Sequence, residues 1–279
     1  IRDQPRSRGL GDVYKRQEWQ DLFLLYKETP EFKKINYGMS LDDFKSIFWL
    51  EYLHRLWGRI IGIVFLLPFI YFLLRGWINR VLASKLIFIF MLGMVQGVLG
   101  WFMVKSGLSD RPDVSQYRLT AHLAVAVILY AYLFWIALGQ LCDRTTKNFY
   151  NNQGIRCLTV ANIFWIFFTM LAGGLVAGLD AGFTYNTFPL MDGKLIPDGL
   201  FRISPIYINF FENIMTVQFV HRLMAIVSVV LVVLLWWWAC REMISIPTLL
   251  PFHVLVTLVT VSYTHLRAHE TEADLVCRL

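Results

Sequence analysis

Residues 51–74 read Glu-Tyr-Leu-His-Arg-Leu-Trp-Gly-Arg-Ile-Ile-Gly-Ile-Val-Phe-Leu-Leu-Pro-Phe-Ile-Tyr-Phe-Leu-Leu, a polar head carrying His54 and then an apolar run from Ile60 to Leu74. With its flank from Phe48, the segment is long enough to cross a bilayer, which takes about 20 mostly apolar residues. Working outward, the pattern returns at Leu86 to Val104, Leu119 to Leu141, Leu158 to Leu179, Ile214 to Ala239 and from Leu249 onward. These stretches predict five complete spans and the start of a sixth, an all-α integral membrane protein. Composition agrees: of 279 residues, 57% are hydrophobic and 16% aromatic. The mean hydropathy of +0.52 is more than a soluble domain could hide. The formal charge of +6 is no nucleic-acid signal, because most basic residues fall in loops and orient the chain.

Three histidines share one position relative to these spans: His54, His122 in Leu-Thr-Ala-His-Leu, and His221 in Gln-Phe-Val-His-Arg. Each lies about one helical turn inside an apolar run, so all three reach a similar depth on one side of the bilayer. An imidazole in hydrocarbon is costly unless paired or metal-bound, and an intramembrane ionisable residue is a functional-site hypothesis by default. Three at matched depth point to heme, against the alternative of hydrogen-bonded core histidines.

Basic residues set the orientation. Arg75, Arg80 and Lys85 fill one connection, Arg144, Lys147 and Arg156 the next on that side, and Arg241 a third. By the positive-inside rule that side is cytoplasmic, or matrix in a mitochondrion. The opposite loops, 106–117 and 181–213, are longer, mixed in charge and rich in Asp, Pro, Asn and aromatics, so the histidines lie near the outer face. The helices carrying them all run inward, and those of His54 and His122 are expected at diagonal corners of a four-helix bundle, whose core can clamp a cofactor.

Both ends look foreign. Asp12 to Gln17 read DVYKRQ and residues 261–269 read VSYTHLRAH, which resemble translations of a sequencing-library adaptor; an ordinary polar tail is the alternative. On the first reading 1–17 and 261–279 fall outside fold reasoning, taking His265, His269 and Cys277 with them. Removing five basic and two acidic residues at one end, and two basic and three acidic at the other, leaves a charge of +4.

An internal repeat organises the remainder. Leu-Glu-Tyr-Leu-His-Arg-Leu-Trp around His54 resembles Val-Gln-Phe-Val-His-Arg-Leu-Met around His221. Gly93-Met-Val-Gln-Gly-Val-Leu-Gly100 and Ala172-Gly-Gly-Leu-Val-Ala-Gly178 both have the small-residue spacing of close helix packing. The repeat predicts two pseudo-symmetric four-helix bundles in parallel arrangement: 18–150 as the first, lacking its first helix, and 151–260 as the second, cut short of an eighth.

Taken in order, several stretches make the chain resemble heme A synthase of the mitochondrial and alphaproteobacterial kind over 18–260. They are Pro30-Glu-Phe-Lys-Lys-Ile-Asn, Met39-Ser-Leu-Asp-Asp-Phe-Lys, Glu51-Tyr-Leu-His-Arg-Leu-Trp-Gly-Arg59, Gly174 to Pro189, Phe211-Glu-Asn and Gln218-Phe-Val-His-Arg222. The resemblance implies conversion of heme O to heme A, in which successive hydroxylations take a pyrrole methyl to a formyl. It implies His54 and His122 as ligands of the substrate heme iron. It also implies His221 as one ligand of a heme b that passes electrons, the other ligand falling beyond residue 260. As partners it implies heme O and membrane lipid, with heme O synthase, oxidase assembly factors and self-association as further candidates; the electron donor is not identified. The location implied is a bacterial or mitochondrial inner membrane. His253 aligns with no ligand.

Glu51 and His54, three apart, share a helix face. In low dielectric the carboxylate's proton affinity rises, which suits it to acid or base work or to guiding water, and the family's essential carboxylate aligns with it. A capping or interfacial glutamate is the alternative. Arg55, Arg59 and Arg222 follow the histidines and could meet heme propionates with paired hydrogen bonds; interfacial snorkelling or a structural ion pair are equally open. Asp180, Tyr185, Asn186 and Phe188 are expected to position or cap the pocket. Trp236 to Trp238 read as an interfacial belt. Cys142, Cys157 and Cys240 sit at cytoplasmic helix ends with no CxxC context. The chain carries no P-loop, GxGxxG or zinc pattern, nor the aspartate-rich motifs of a prenyltransferase. The competing class is a membrane b-type cytochrome that only transfers electrons, and Glu51 discriminates the two.

Overall fold

A computed structural model describes residues 16–34, 36–107, 115–141, 152–185, 187–242 and 249–262. Among them the regular structure is helical, apart from one isolated β-bridge between Met191 and Lys194. In chain order the helices are α1 (Arg16–Lys27), α2 (Pro30–Lys34), α3 (Leu41–Leu74), α4 (Arg80–Gly107), α5 (Gln116–Leu141), α6 (Gln153–Gly178), α7 (Asn209–Glu212), α8 (Ile214–Arg241) and α9 (Leu249–Ser262). Five of these are long and apolar enough to cross a membrane, namely α3, α4, α5, α6 and α8, while α9 is a shorter apolar helix. The expected spans are thereby recovered. Their outward side chains are apolar: Ile61, Val64 and Leu67 on α3 are each more than 60% exposed, which water would penalise and lipid would not.

The chain forms two compact units. The first comprises the described residues up to Arg118 together with Ile128–Ile136; the second comprises Leu119–Val127 and the described residues from Ala137 on. The adaptor-like segments lie outside the described residues, except that Arg16 and Gln17 open α1 and residues 261–262 close α9. Asn186, Cys142, Arg144 and Lys147 lie outside them too.

In the first unit, α3 begins well before its apolar run. Ser40 and Asp43 form a reciprocal capping box, Asp43 N–H donating to Ser40 Oγ and Ser40 N–H to Asp43 Oδ2, each at 3.2 Å. At about 1.5 Å per residue the 34-residue helix is roughly 50 Å long, more than a hydrocarbon core of about 30 Å needs. The surplus turns bury Phe44 and Phe48 against α1 and α2 through Trp19, Phe23, Tyr26 and Phe32. Trp19 meets Phe48 edge-on at 5.0 Å between ring centroids, and Tyr26 lies 4.9 Å from Phe44. Burying each such ring is worth about 1.5–3 kcal/mol. The connection is made locally: Thr29 Oγ1 accepts from Phe32 N–H at 3.3 Å and Pro30 opens α2, where its missing N–H costs nothing. Asn36 donates to the Tyr26 hydroxyl at 2.7 Å, and burial pushes that phenol above its ordinary range. The sequence reading did not foresee this aromatic cluster, because its apolar residues are spread over three short polar segments.

In the second unit, α6 and α8 pack along their whole length. Asn152 caps α6, accepting from Gly154 and Ile155 N–H at 2.9 and 3.2 Å, and also donates to Glu242 at the end of α8 at 3.0 Å. A Cβ on Gly154 would come within 2.6 Å of the Trp238 ring. Further along, the Trp165 indole donates to Met224 O at 3.1 Å and the Thr169 and Ser228 hydroxyls meet at 3.2 Å. Helices in lipid have little hydrophobic reason to associate, so close approach and interhelical hydrogen bonds of this kind hold them together. α9 joins the pair where Leu249, Phe252 and Leu255 cover Ile155, Leu235 and Ala239.

The two glycine stretches behave differently. Gly173 and Gly174 sit at tight contacts, as their spacing predicts, but a Cβ on Gly93 or Gly97 would meet no heavy atom within 4 Å. Close packing on that face of α4 is therefore not seen among the described residues: small residues permit approach without compelling it.

Candidate functional site

His54 lies on α3 beyond the aromatic cluster and is exposed in the isolated chain. Glu51 is one turn before it on the same face, and its carboxylate is paired with Arg55, one turn on. The Arg55 and Glu51 side chains are 38% and 24% exposed, so the pair holds both in one place more than it stabilises the helix. Arg55, one of the candidate propionate contacts, is thus engaged with the candidate catalytic carboxylate. Arg59 is exposed one turn further. His122 is half-buried on the second turn of α5. His54 belongs to the first unit and His122 to the second.

His221 is held in defined surroundings. Its Nδ1 lies 3.2 Å from the backbone oxygen of Thr169 on α6. A carbonyl oxygen only accepts, so Nδ1 carries the proton and Nε2 keeps its lone pair, the tautomer a metal-bound imidazole requires. Beside the ring is Gly173, where a Cβ would stand 3.0 Å from His221 Cε1. His221 therefore has the available Nε2 lone pair and the fixed ring that a ligand to a heme iron would need. The same test separates it from His253 on α9, whose Nδ1 accepts the Trp236 indole N–H at 2.9 Å and leaves the proton on Nε2. That neutral histidine has no free lone pair for a metal.

The loop after α6 is tied down over α8. Asp180 turns the chain at a φ of 51°, a left-handed conformation that Asp tolerates better than most residues. Arg222 donates to Tyr185 O at 2.7 Å and to Thr187 O at 2.6 Å, and its guanidinium lies 6.0 Å from the Phe188 ring. Gln218, one turn earlier, donates to the same Tyr185 oxygen at 3.0 Å. Arg222, another candidate propionate contact, here anchors the loop. Asn209, fully buried, donates to Ile203 O at 2.7 Å and Ile206 O at 2.9 Å and accepts from Ile203 N–H at 2.9 Å. Asn213 caps α8, accepting from Met215 N–H at 3.1 Å, and reaches Gly199 O at 3.0 Å. At the loop's exposed tip, a hydrogen bond from Lys194 holds the Asp198 carboxyl below its usual range.

The three tryptophans at the C-terminal end of α8 each have a partner: Trp236 on His253, Trp237 under Arg241 at 4.2 Å, and Trp238 on Glu242 at 3.1 Å. Cys157 and Cys240 are free thiols. Among the described residues no cluster of His, Cys, Asp and Glu could hold a bare metal ion. Sequence reasoning missed Thr169 and Gly173 as neighbours of His221; the Gly-Gly pair at 173–174 was a visible signal, but nothing in the sequence said which glycine faces an imidazole.

Comparison with known proteins bears on this geometry. The family described as cytochrome oxidase assembly protein, COX15-CtaA, matches residues 11–265. A protein named heme A synthase from Nitrosospira multiformis is 53% identical over 212 residues, covering 75% of this chain and 59% of its own length. Proteins of the same name from Nitrosomonas eutropha and Paramagnetospirillum magneticum are each 50% identical, over 214 and 216 residues, covering 75% and 76% of this chain and 59% and 60% of their own lengths. The chain thus spans about three fifths of the length of the curated relatives it matches. No solved structure matches it.

Proposed function

The chain belongs to the COX15-CtaA family of cytochrome oxidase assembly proteins, and from that premise we propose that it acts as a heme A synthase, an oxidoreductase that takes a pyrrole methyl of heme O to a formyl. The observation that carries the reading is Glu51, one turn from His54 and held by Arg55. An electron carrier has no use for a carboxylate there, whereas oxidising a methyl requires protons to leave and water to arrive. His54 and His122 are the proposed ligands of the substrate heme. His221 is the proposed ligand of heme b, which when bound would supply one-electron transfer. The Arg55 pairing holds the carboxylate in one orientation on the His54 side of the helix. Arg59 is the remaining candidate for a propionate contact, and Arg222 serves the loop that covers the same end of α8. The protein is multi-pass; we place it in an inner membrane with its hemes toward the outer face, alongside heme O synthase and the oxidase assembly machinery.

The test is co-expression with a heme O synthase, in a chain completed to the length of its relatives, followed by extraction and chromatography of the hemes. Heme A or its alcohol precursor is the expected product. Recovery of only heme b and heme O from folded protein would turn the assignment to an electron-transferring cytochrome.

A further inference from the structure

We infer that α6 is the positioning helix for the His221 imidazole, with Gly173 and Thr169 together fixing the ring and the nitrogen it presents. The inference rests on the reading of His221 as a heme b ligand. Three contacts within the second unit carry it. The Thr169 carbonyl receives the Nδ1 proton at 3.2 Å, so Nε2 is the one nitrogen able to ligate. Gly173, four residues later and so on the same face of α6, leaves room for the ring: an added Cβ would stand 3.0 Å from Cε1, 3.5 Å from Nε2 and 3.6 Å from Nδ1. The Thr169 hydroxyl meets Ser228 at 3.2 Å while Ser228 bonds back to Met224 O at 2.9 Å, and the Trp165 indole also reaches Met224 O at 3.1 Å. The register of α6 against α8 is thereby pinned one and two turns from the imidazole, on the side away from the outer surface.

A backbone carbonyl serves this purpose where a side chain would serve less well. It cannot swing away or lose its acceptor character, and it needs no water to complete it. A hydrogen bond from the distal ring nitrogen makes the ligating nitrogen a stronger donor and favours the oxidised iron. Weakening that bond should raise the heme midpoint potential.

The experiment compares Gly173→Ala with Gly174→Ala in the heme-loaded protein. Both add one methyl to adjacent residues of α6, but at Gly174 the new Cβ faces Thr120 Oγ1 at 3.0 Å and Leu123 at 3.2 Å instead of the histidine. Gly173→Ala is expected to shift the g-values of the low-spin EPR signal and to move the midpoint potential upward, with heme still bound. Gly174→Ala is expected to lower Tm and leave both spectroscopic quantities unmoved. Equal effects of the two, or no spectroscopic shift from Gly173→Ala, would overturn the assignment. Should Gly173→Ala bind no heme, Thr169→Val decides: it keeps the carbonyl but removes the hydroxyl tie to Ser228, and is expected to give a smaller shift in the same direction, its absence counting against the proposal. His221→Ala separates the two layers. Loss of the low-spin signal upholds the ligand reading on which the inference stands, and its persistence overturns both.

Discussion

The two copies of the histidine repeat put similar residues to different ends. In the first, Glu51 stands three residues before His54 and Arg55 one after, and the two charged side chains close on each other. In the second, Gln218 and Arg222 hold the same places around His221, and both donate to the Tyr185 carbonyl. The difference is one functional group. In the first copy the carboxylate pairs with the arginine one turn away; in the second the arginine donates to the loop carbonyls of Tyr185 and Thr187. The second copy thereby becomes a fixed structural unit, whereas the first keeps an ionisable group beside its histidine. On the proposed function this is the division between a site that changes its heme and one that only passes electrons.

The sharpest way to break the comparison is to make the first copy read like the second. Glu51→Gln should retain the hemes yet reduce heme A formation by about a hundredfold or more, the scale on which a positioned acid or base contributes; chromatography of extracted hemes measures it. Unchanged heme A output would remove Glu51 from the chemistry.

The converse exchange acts on stability. Arg222→Ala removes two charge-assisted hydrogen bonds to the 185–187 segment and should cost about 2 kcal/mol, read as a fall in Tm and as faster proteolysis of the loop between α6 and α8. Gln218→Glu takes away one donor to Tyr185 O and offers Arg222 a carboxylate. A smaller loss, about 1 kcal/mol, is expected, with the loop again the first region to be cleaved. Smallest should be Ser228→Ala, which deletes one hydroxyl partner between α6 and α8. Interhelical hydrogen bonds in membranes average about 0.6 kcal/mol, so the effect should be a slight drop in Tm without loss of heme.

The spans and the three histidines were legible in the sequence because hydropathy is a property of a segment and because a histidine in an apolar run stands out. Glu51 and Arg55 were legible as neighbours, since helical periodicity places residues four apart together. Their engagement with each other was one of the open alternatives for Arg55. The Arg222 anchor was not legible: its acceptors are backbone carbonyls 35 and 37 residues earlier, which no side-chain pattern announces. The aromatic cluster of Trp19, Tyr26, Phe44 and Phe48 was hidden for a related reason. It assembles from short segments whose apolar residues are too sparse to read as a span, and α3 reaches it only because the Ser40–Asp43 capping box starts the helix two turns before Phe48. Gly93 and Gly97 show the opposite failure, a packing motif with no described partner.

The central claim is that the carboxylate of the first copy, and not its counterpart in the second, makes this a heme-modifying protein. The most direct measurement is the heme content of cells co-expressing a heme O synthase with the unaltered protein, Glu51→Gln or Gln218→Glu. The account predicts heme A from the unaltered protein and from Gln218→Glu, with heme O accumulating in Glu51→Gln. Heme A at full level in Glu51→Gln, or none from the unaltered and folded protein, would contradict it.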